Sequence, residues 1–99
     1  MAKREPKVWI EQGVIMKLRP KMDDGYRRVK KLFRKHGLDL YVLSGGEGDH
    51  QMDSLHYHGY AIDIRKAKGI TKRMLQQALG KDFDVVKYSW GWHLEYDPK

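Results

Sequence analysis

The sequence contains no cysteine. Neither a disulfide framework nor a thiolate zinc site is therefore available, and any metal ion must be held by His, Asp or Glu side chains or by water. The sequence also lacks an apolar run approaching the ~20 residues of a membrane span. Its opening, MAKREPKVWIEQG, has basic residues but no apolar stretch like that of a signal peptide. We expect no membrane span and a chain that is cytoplasmic as synthesised.

Acidic residues are scarce in the first part of the chain. Residues 1–37 hold twelve Lys and Arg against four Asp and Glu, whereas the remainder holds eight against nine. Such a basic region attracts an anionic cell-wall polymer or nucleic acid, but the same residues also form the ordinary solvated face of a helix. The segment 17–35 contains only two aromatic residues and no recognised base-reading motif, so nucleic acid is the less favoured partner.

Length and hydrophobic pattern predict a single α+β domain over residues 1–99. Ninety-nine residues, 40% of them hydrophobic, suit one small core. Period-two and helical spacings of apolar residues predict the following order: one or two short strands in 7–18, a helix over 22–36, a strand over 38–44, a loop over 45–54, a strand over 60–64, a helix over 70–80 capped by Thr71, and a hairpin of 83–88 and 92–96. This order favours a mostly antiparallel sheet with two helices packed on one side.

Two of the predicted strands carry polar residues on one face. In YAIDI, alternation directs Ile62 and Ile64 to one side and Asp63 to the other, and in the last strand His93 and Glu95 share a face. Imidazoles from His56 and His93 with the carboxylate of Asp63 would supply three zinc ligands and leave a fourth position for water. Spacing alone leaves alternatives open: a surface histidine, a packed strand histidine, and an aspartate paired with a nearby cation.

SLHYHGYAID, residues 54–63, fits the pattern S-x-H-x-x-G-x-A-x-D. It resembles the signature of the zinc D-Ala-D-Ala carboxypeptidases and their relatives, peptidase family M15, and of the zinc site in Hedgehog signalling domains. The matching residues are Ser54, His56, Gly59, Ala61 and Asp63, and further similarity lies in EGDHQMDSLHY and WHLEYDP, so the resemblance covers roughly residues 40–98. It implies a small Hedgehog/DD-peptidase-like fold, Zn²⁺ held by His56, Asp63 and His93, and a substrate close to Ser54.

The chain departs from the peptidase pattern at two places. The peptidases carry a glutamate shortly before the last histidine as general base, but residues 87–92 read KYSWGW, and SGGE puts Glu47 where the substrate-binding arginine would be. Glu95, two residues after His93, is the natural substitute for the base. An outer-shell carboxylate that orients a ligand, or a salt-bridge partner, is the alternative interpretation. His50 is a second candidate for acid or base.

Several other side chains are candidates for the edges of the site. Arg65 shares the face of Asp63 and would hold a substrate carboxylate, or form a simple ion pair. Tyr88 and Trp90 would wall the cleft, or only pack in the hairpin. Glycine at 59 would let the backbone approach whatever Asp63 contacts. His58 fits a loop residue, and the acids of the 45–54 loop (Glu47, Asp49 and Asp53) suit either calcium or ordinary turns.

The resemblance implies a zinc-dependent peptidase, a carboxypeptidase or endopeptidase that cleaves peptidoglycan peptides in the manner of a phage endolysin. Such a chain would be released to the cell wall on lysis. The basic N-terminal region would then favour an anionic cell-wall polymer. A non-catalytic zinc-bearing binding module of the same fold is the first alternative, because the usual glutamate and arginine are missing. A basic nucleic-acid-binding domain is the second.

Overall fold

The computed structural model describes residues 4–45 and 59–98. Its elements are β1 (Val8–Ile10), α1 (Pro20–Lys35), β2 (Leu40–Ser44), β3 (Ala61–Arg65), α2 (Lys72–Leu79), β4 (Phe83–Lys87) and β5 (Gly91–Tyr96). The strands form one five-stranded mixed sheet in the order β1-β2-β3-β5-β4. The predicted small α+β domain with two helices is therefore confirmed. None of the helices in these ranges is long and apolar enough to cross a membrane.

The sheet is mostly antiparallel, with one exception at its edge. β2 with β3, β3 with β5 and β4 with β5 are antiparallel pairs, whereas β1 lies parallel to β2. The parallel pair arises because α1 carries the chain back between the two strands, as a crossover helix does. Only Val8–Ile10 of the predicted 7–18 strand region is a strand.

Both helices begin where local chemistry permits. α1 starts at Pro20, two residues before the predicted start, because proline's fixed φ suits the first turn and its missing N–H is not needed there. α2 follows the predicted cap: the Thr71 hydroxyl oxygen accepts a hydrogen bond from the backbone N–H of Met74 at 3.2 Å. Gly80 closes α2 with a φ of +94°.

The core lies between the two helices and one face of the sheet. The strand residues on this face and the inward residues of the helices are buried in one cluster: Met22, Val29, Phe33, Val42, Ile62, Ile64, Leu75, Leu79, Val85, Trp92 and Leu94. The opposite face carries Asp63, His93 and Glu95, and we call it the outer face. Its position follows from the alternation of side chains along β3 and β5.

A glycine inside α1 allows the helix to approach β4. A Cβ at Gly25 would lie 2.6 Å from Cε2 of Phe83 and 3.1 Å from Cδ2 of Leu79. Phe83 is buried and makes an edge contact with Tyr96, their ring centroids 5.3 Å apart, so its ring has little room to withdraw. We infer that the close packing of α1 against Phe83 stabilises the fold by more than the low helix propensity of Gly25 costs.

Replacing Gly25 with alanine tests this packing. Alanine improves helix propensity by about 1 kcal/mol, but overpacking against Phe83 costs typically about 1–3 kcal/mol. We expect G25A to lower the free energy of unfolding in urea denaturation, while the exposed control Gln77→Ala in α2 leaves it nearly unchanged. A more stable G25A would contradict the contact.

The Asp39 carboxylate binds the N-terminal segment to the sheet through three hydrogen bonds. It accepts hydrogen bonds from the Arg4 guanidinium at 2.9 Å, the Lys7 backbone N–H at 2.9 Å and the Trp9 indole N–H at 3.1 Å. The Arg4 hydrogen bond first, then those from Lys7 and Trp9, lower the pKa of Asp39 to about 2. Since the carboxylate immediately precedes β2, it holds β1 in place along that strand.

The lowered pKa predicts a pH-dependent contribution to stability. An unfolded aspartate titrates near 3.9, so the stabilisation is fully present above that pH and is lost as the pH falls towards about 2. We expect Asp39→Asn to melt below the wild type at pH 5–7, and the difference in Tm to close between about pH 4 and pH 2. A constant gap, or an equal effect of the control Asp82→Asn, would contradict this role.

Candidate functional site

The β3–β5 pairing builds the candidate site. In its register Asp63 lies opposite His93 and Ala61 opposite Glu95. Directly paired residues on one face of an antiparallel sheet have Cβ atoms about 4.5–5.5 Å apart, so short side chains can meet across the strands. The predicted shared face of His93 and Glu95, with Asp63 beside them, is confirmed.

His93 contacts a carboxylate at each edge of its ring. Nδ1 lies 2.8 Å from Oδ1 of Asp63, and Nε2 lies 2.6 Å from Oε1 of Glu95. All three side chains are partly buried, with about one fifth of each exposed. When the ring is protonated, both N–H groups donate to carboxylates, and these are charge-assisted bonds.

These contacts favour the imidazolium form. The hydrogen bond that His93 donates to Asp63 raises the pKa of His93 above its ordinary value of 6.5, burial opposes the shift, and the hydrogen bond to Glu95 adds to it. The outer face therefore favours a positive charge at this point. Either a proton or a metal ion can supply that charge.

The donors at this position fit a zinc ion. Imidazole nitrogen and carboxylate oxygen are both ordinary zinc ligands, at about 2.0–2.2 Å from the metal. Two such ligands of a tetrahedral ion lie roughly 3.3–3.5 Å apart by this geometry, so Nδ1 of His93 and Oδ1 of Asp63 need to separate by about half an ångström from their 2.8 Å contact. The third predicted ligand, His56, lies outside the described residues.

Glu95 contacts the opposite edge of the imidazole from Asp63. A histidine that binds a metal through one nitrogen commonly donates the other N–H to a carboxylate, which fixes the tautomer and the ring orientation. The geometry therefore fits the outer-shell interpretation of Glu95.

Two further carboxylates, which the sequence pattern did not single out, lie beside Glu95. Asp84 pairs with Glu95 across β4 and β5, and Asp97 follows two residues later; one oxygen from each of the three lies within 4.8 Å of the others. An oxygen-only set of this kind suits hard cations better than zinc. The period-two spacing of Glu95 and Asp97, with Asp84 in the neighbouring strand, was the available signal.

The proposed edge residues of the site lie in defined places. The Arg65 guanidinium lies 4.8 Å from the ring centroid of Tyr41, and Tyr41 stacks on Trp9. Tyr88 and Trp90 are half exposed at the β4–β5 turn and stack on each other, with centroids 5.0 Å apart. No ion pair joins Arg65 to Asp63 within the described ranges.

Gly59 lies against the segment that precedes α1. Its φ is +81°, and a Cβ there would lie 2.8 Å from the carbonyl oxygen of Lys17. Its own carbonyl oxygen accepts a hydrogen bond from the Arg19 backbone N–H at 3.0 Å. The glycine thus lets the chain enter β3 against the segment before α1. Ala61 is fully buried beside it.

The remaining predicted site residues lie outside the described residues. They are the candidate acid or base His50, the substrate-side Ser54, the ligand His56, the loop residue His58, and the acids Glu47, Asp49 and Asp53. Their roles stay predictions.

No protein-family model, curated protein or solved structure matches this chain significantly.

The contact with Asp63 predicts how His93 titrates in metal-free protein. Because the folded pKa is raised, the stabilisation is present below the unfolded value of 6.5 and is lost as the pH rises through the folded pKa. We expect NMR titration of the His93 ring to give a pKa above 6.5, and Asp63→Asn to lower it. An unchanged His93 pKa in D63N would contradict the pairing.

Proposed function

We propose that this chain is a zinc-dependent peptidase that hydrolyses peptidoglycan peptides, with the small Hedgehog/DD-peptidase-like fold of the M15 peptidases. The observation that carries the proposal is the 2.8 Å contact between Asp63 and His93. These residues lie thirty positions apart in the sequence. The resemblance carried by SLHYHGYAID and WHLEYDP implies that both are zinc ligands.

In the proposed site, His56, Asp63 and His93 hold the zinc ion. When bound, zinc lowers the pKa of its water to about 7 and polarises the scissile carbonyl. Asp63 contributes a negative charge that offsets the charge of the ion, and its sheet pairing fixes its position relative to His93. Burial of about four fifths of each side chain limits the competition from bulk water.

Glu95 is proposed as a positioning residue. Its carboxylate accepts the Nε2 proton of His93 at 2.6 Å, so it holds the ring in the tautomer that presents the Nδ1 lone pair towards Asp63. The proton transfers of hydrolysis are then assigned to His50. A group in that role contributes typically ~10²- to 10⁴-fold to the rate.

A non-catalytic zinc-binding module is the second candidate function. The specific observation in its favour is the sequence KYSWGW before His93, which has no acid where the peptidases carry their general base. The same ligands serve both functions, so hydrolysis separates them.

Ligand substitutions test the zinc site. We expect Asp63→Asn and His93→Ala each to weaken zinc binding at least tenfold and to abolish hydrolysis, because each removes one of three protein ligands. Asp84→Asn, which alters a carboxylate on the same face outside this set, should retain both. Zinc affinity is measured by competition with a chelator, and hydrolysis by release of amino groups from purified peptidoglycan. Absence of zinc from the wild type overturns the proposal, and zinc without hydrolysis leaves the binding module.

Two substitutions at Glu95 separate orientation from base catalysis. Glutamine keeps an oxygen that can accept the Nε2 proton but cannot act as a base, whereas alanine removes the acceptor. For a positioning residue we expect E95Q to retain much of its zinc affinity and hydrolysis, and E95A to lose about 10- to 100-fold of either. Loss of hydrolysis in E95Q with unchanged zinc affinity would instead identify Glu95 as the base.

A further inference from the structure

A second surface of the molecule combines basic side chains from two elements. A hollow of about 450 Å³ lies between α1 and the β1 end of the sheet. Its apolar floor is formed by Pro6, Val8, Leu38 and Leu40, and its rim by Lys7, Arg27, Lys30, Lys31 and Arg34. We call this surface the basic groove.

The helix side of the basic groove is a continuous stripe. Residues 27, 30, 31 and 34 follow the spacing of three and four that places side chains on one helix face. At 1.5 Å of rise per residue the stripe extends for roughly 10 Å. Lys7 also lines the hollow, and its ammonium lies 5.9 Å from the centroid of the Trp9 ring. The continuous positive potential of the basic groove therefore comes from the helix stripe.

Little within the described residues neutralises these charges. Arg27 pairs with Asp23 at 3.1 Å and Arg34 with Glu5 at 2.8 Å, both through largely exposed side chains. Exposed pairs of this kind contribute little energy, so a polyanion can displace them. Lys30 lies over the Tyr26 ring at 4.6 Å, and Lys31 is exposed.

We infer that the basic groove binds a cell-wall polymer with phosphodiester-linked repeats. The charges complement its phosphates, and the apolar floor suits the carbon atoms of the units between them. Binding proteins of single-stranded nucleic acid combine such charge with aromatic side chains on which bases stack. The described residues that line the groove include no aromatic side chain, which favours the wall polymer over single-stranded nucleic acid. The choice of a cell-wall polymer rests on the proposed function, but its binding is measured without zinc and without hydrolysis.

Binding to poly(glycerol phosphate) tests the inference. The groove variant replaces Lys7, Lys30 and Lys31 with glutamine, and the control variant replaces Lys66, Lys68 and Lys72, which are exposed outside the groove. Both remove three positive charges, and glutamine retains the helix propensity of lysine. Thermal melts and circular dichroism verify that each variant is folded.

We expect the wild type to bind the polymer with a Kd that weakens as salt rises. The groove variant should bind the polymer about tenfold more weakly. The slope of log K against log salt should also become shallower by about two, since each phosphate contact on a flexible strand contributes about 0.7 to the slope. The control variant should resemble the wild type. Equal weakening in both variants, no binding by the wild type, or tighter binding to oligo(dT) with the same number of phosphates would each overturn the inference.

Discussion

The antiparallel pairing of β3 with β5 is the constraint on which both faces of the sheet depend. Its register places Ile62 opposite Leu94 and Asp63 opposite His93. Because side chains alternate along a strand, this single register sends the apolar residues to the helices and the polar residues to the outer face. A slip of one residue would exchange the faces and bury Asp63 and His93 among apolar side chains. Core burial and site geometry therefore select the same register.

The charge of the outer face follows from what surrounds His93. Its ring lies between the Asp63 and Glu95 carboxylates, and Asp84 and Asp97 lie close to Glu95. The outer face is therefore rich in negative charge, whereas in the basic groove the cations outnumber their carboxylate partners. The small domain thus separates a face rich in carboxylates from a groove rich in cations. An enzyme that acts on an anionic wall can use the first for chemistry and the second for attachment.

Local patterns predicted the parts of this structure that depend on neighbouring residues. Alternation in YAIDI and WHLEY located the outer face, and Thr71 and Gly80 located the ends of α2. Contacts between distant segments were not predictable in this way. The parallel pairing of β1, the three donors on Asp39 and the packing of Gly59 against Lys17 each depend on how separate segments meet. The spacing along β5 placed Glu95 on the same face as His93, but it could not show that Glu95 contacts Nε2 of the ring rather than Nδ1.

The position of zinc relative to the His93 ring tests the proposed zinc site most directly. A crystal of the wild type grown with zinc, with anomalous data collected at the zinc edge, locates the ion without reference to activity. The proposed site predicts an anomalous peak about 2.0–2.2 Å from Nδ1 of His93 and from the Asp63 carboxylate. Glu95 should still accept a hydrogen bond from Nε2. A peak on the Nε2 side among Glu95, Asp84 and Asp97, or no peak near His93, would contradict it.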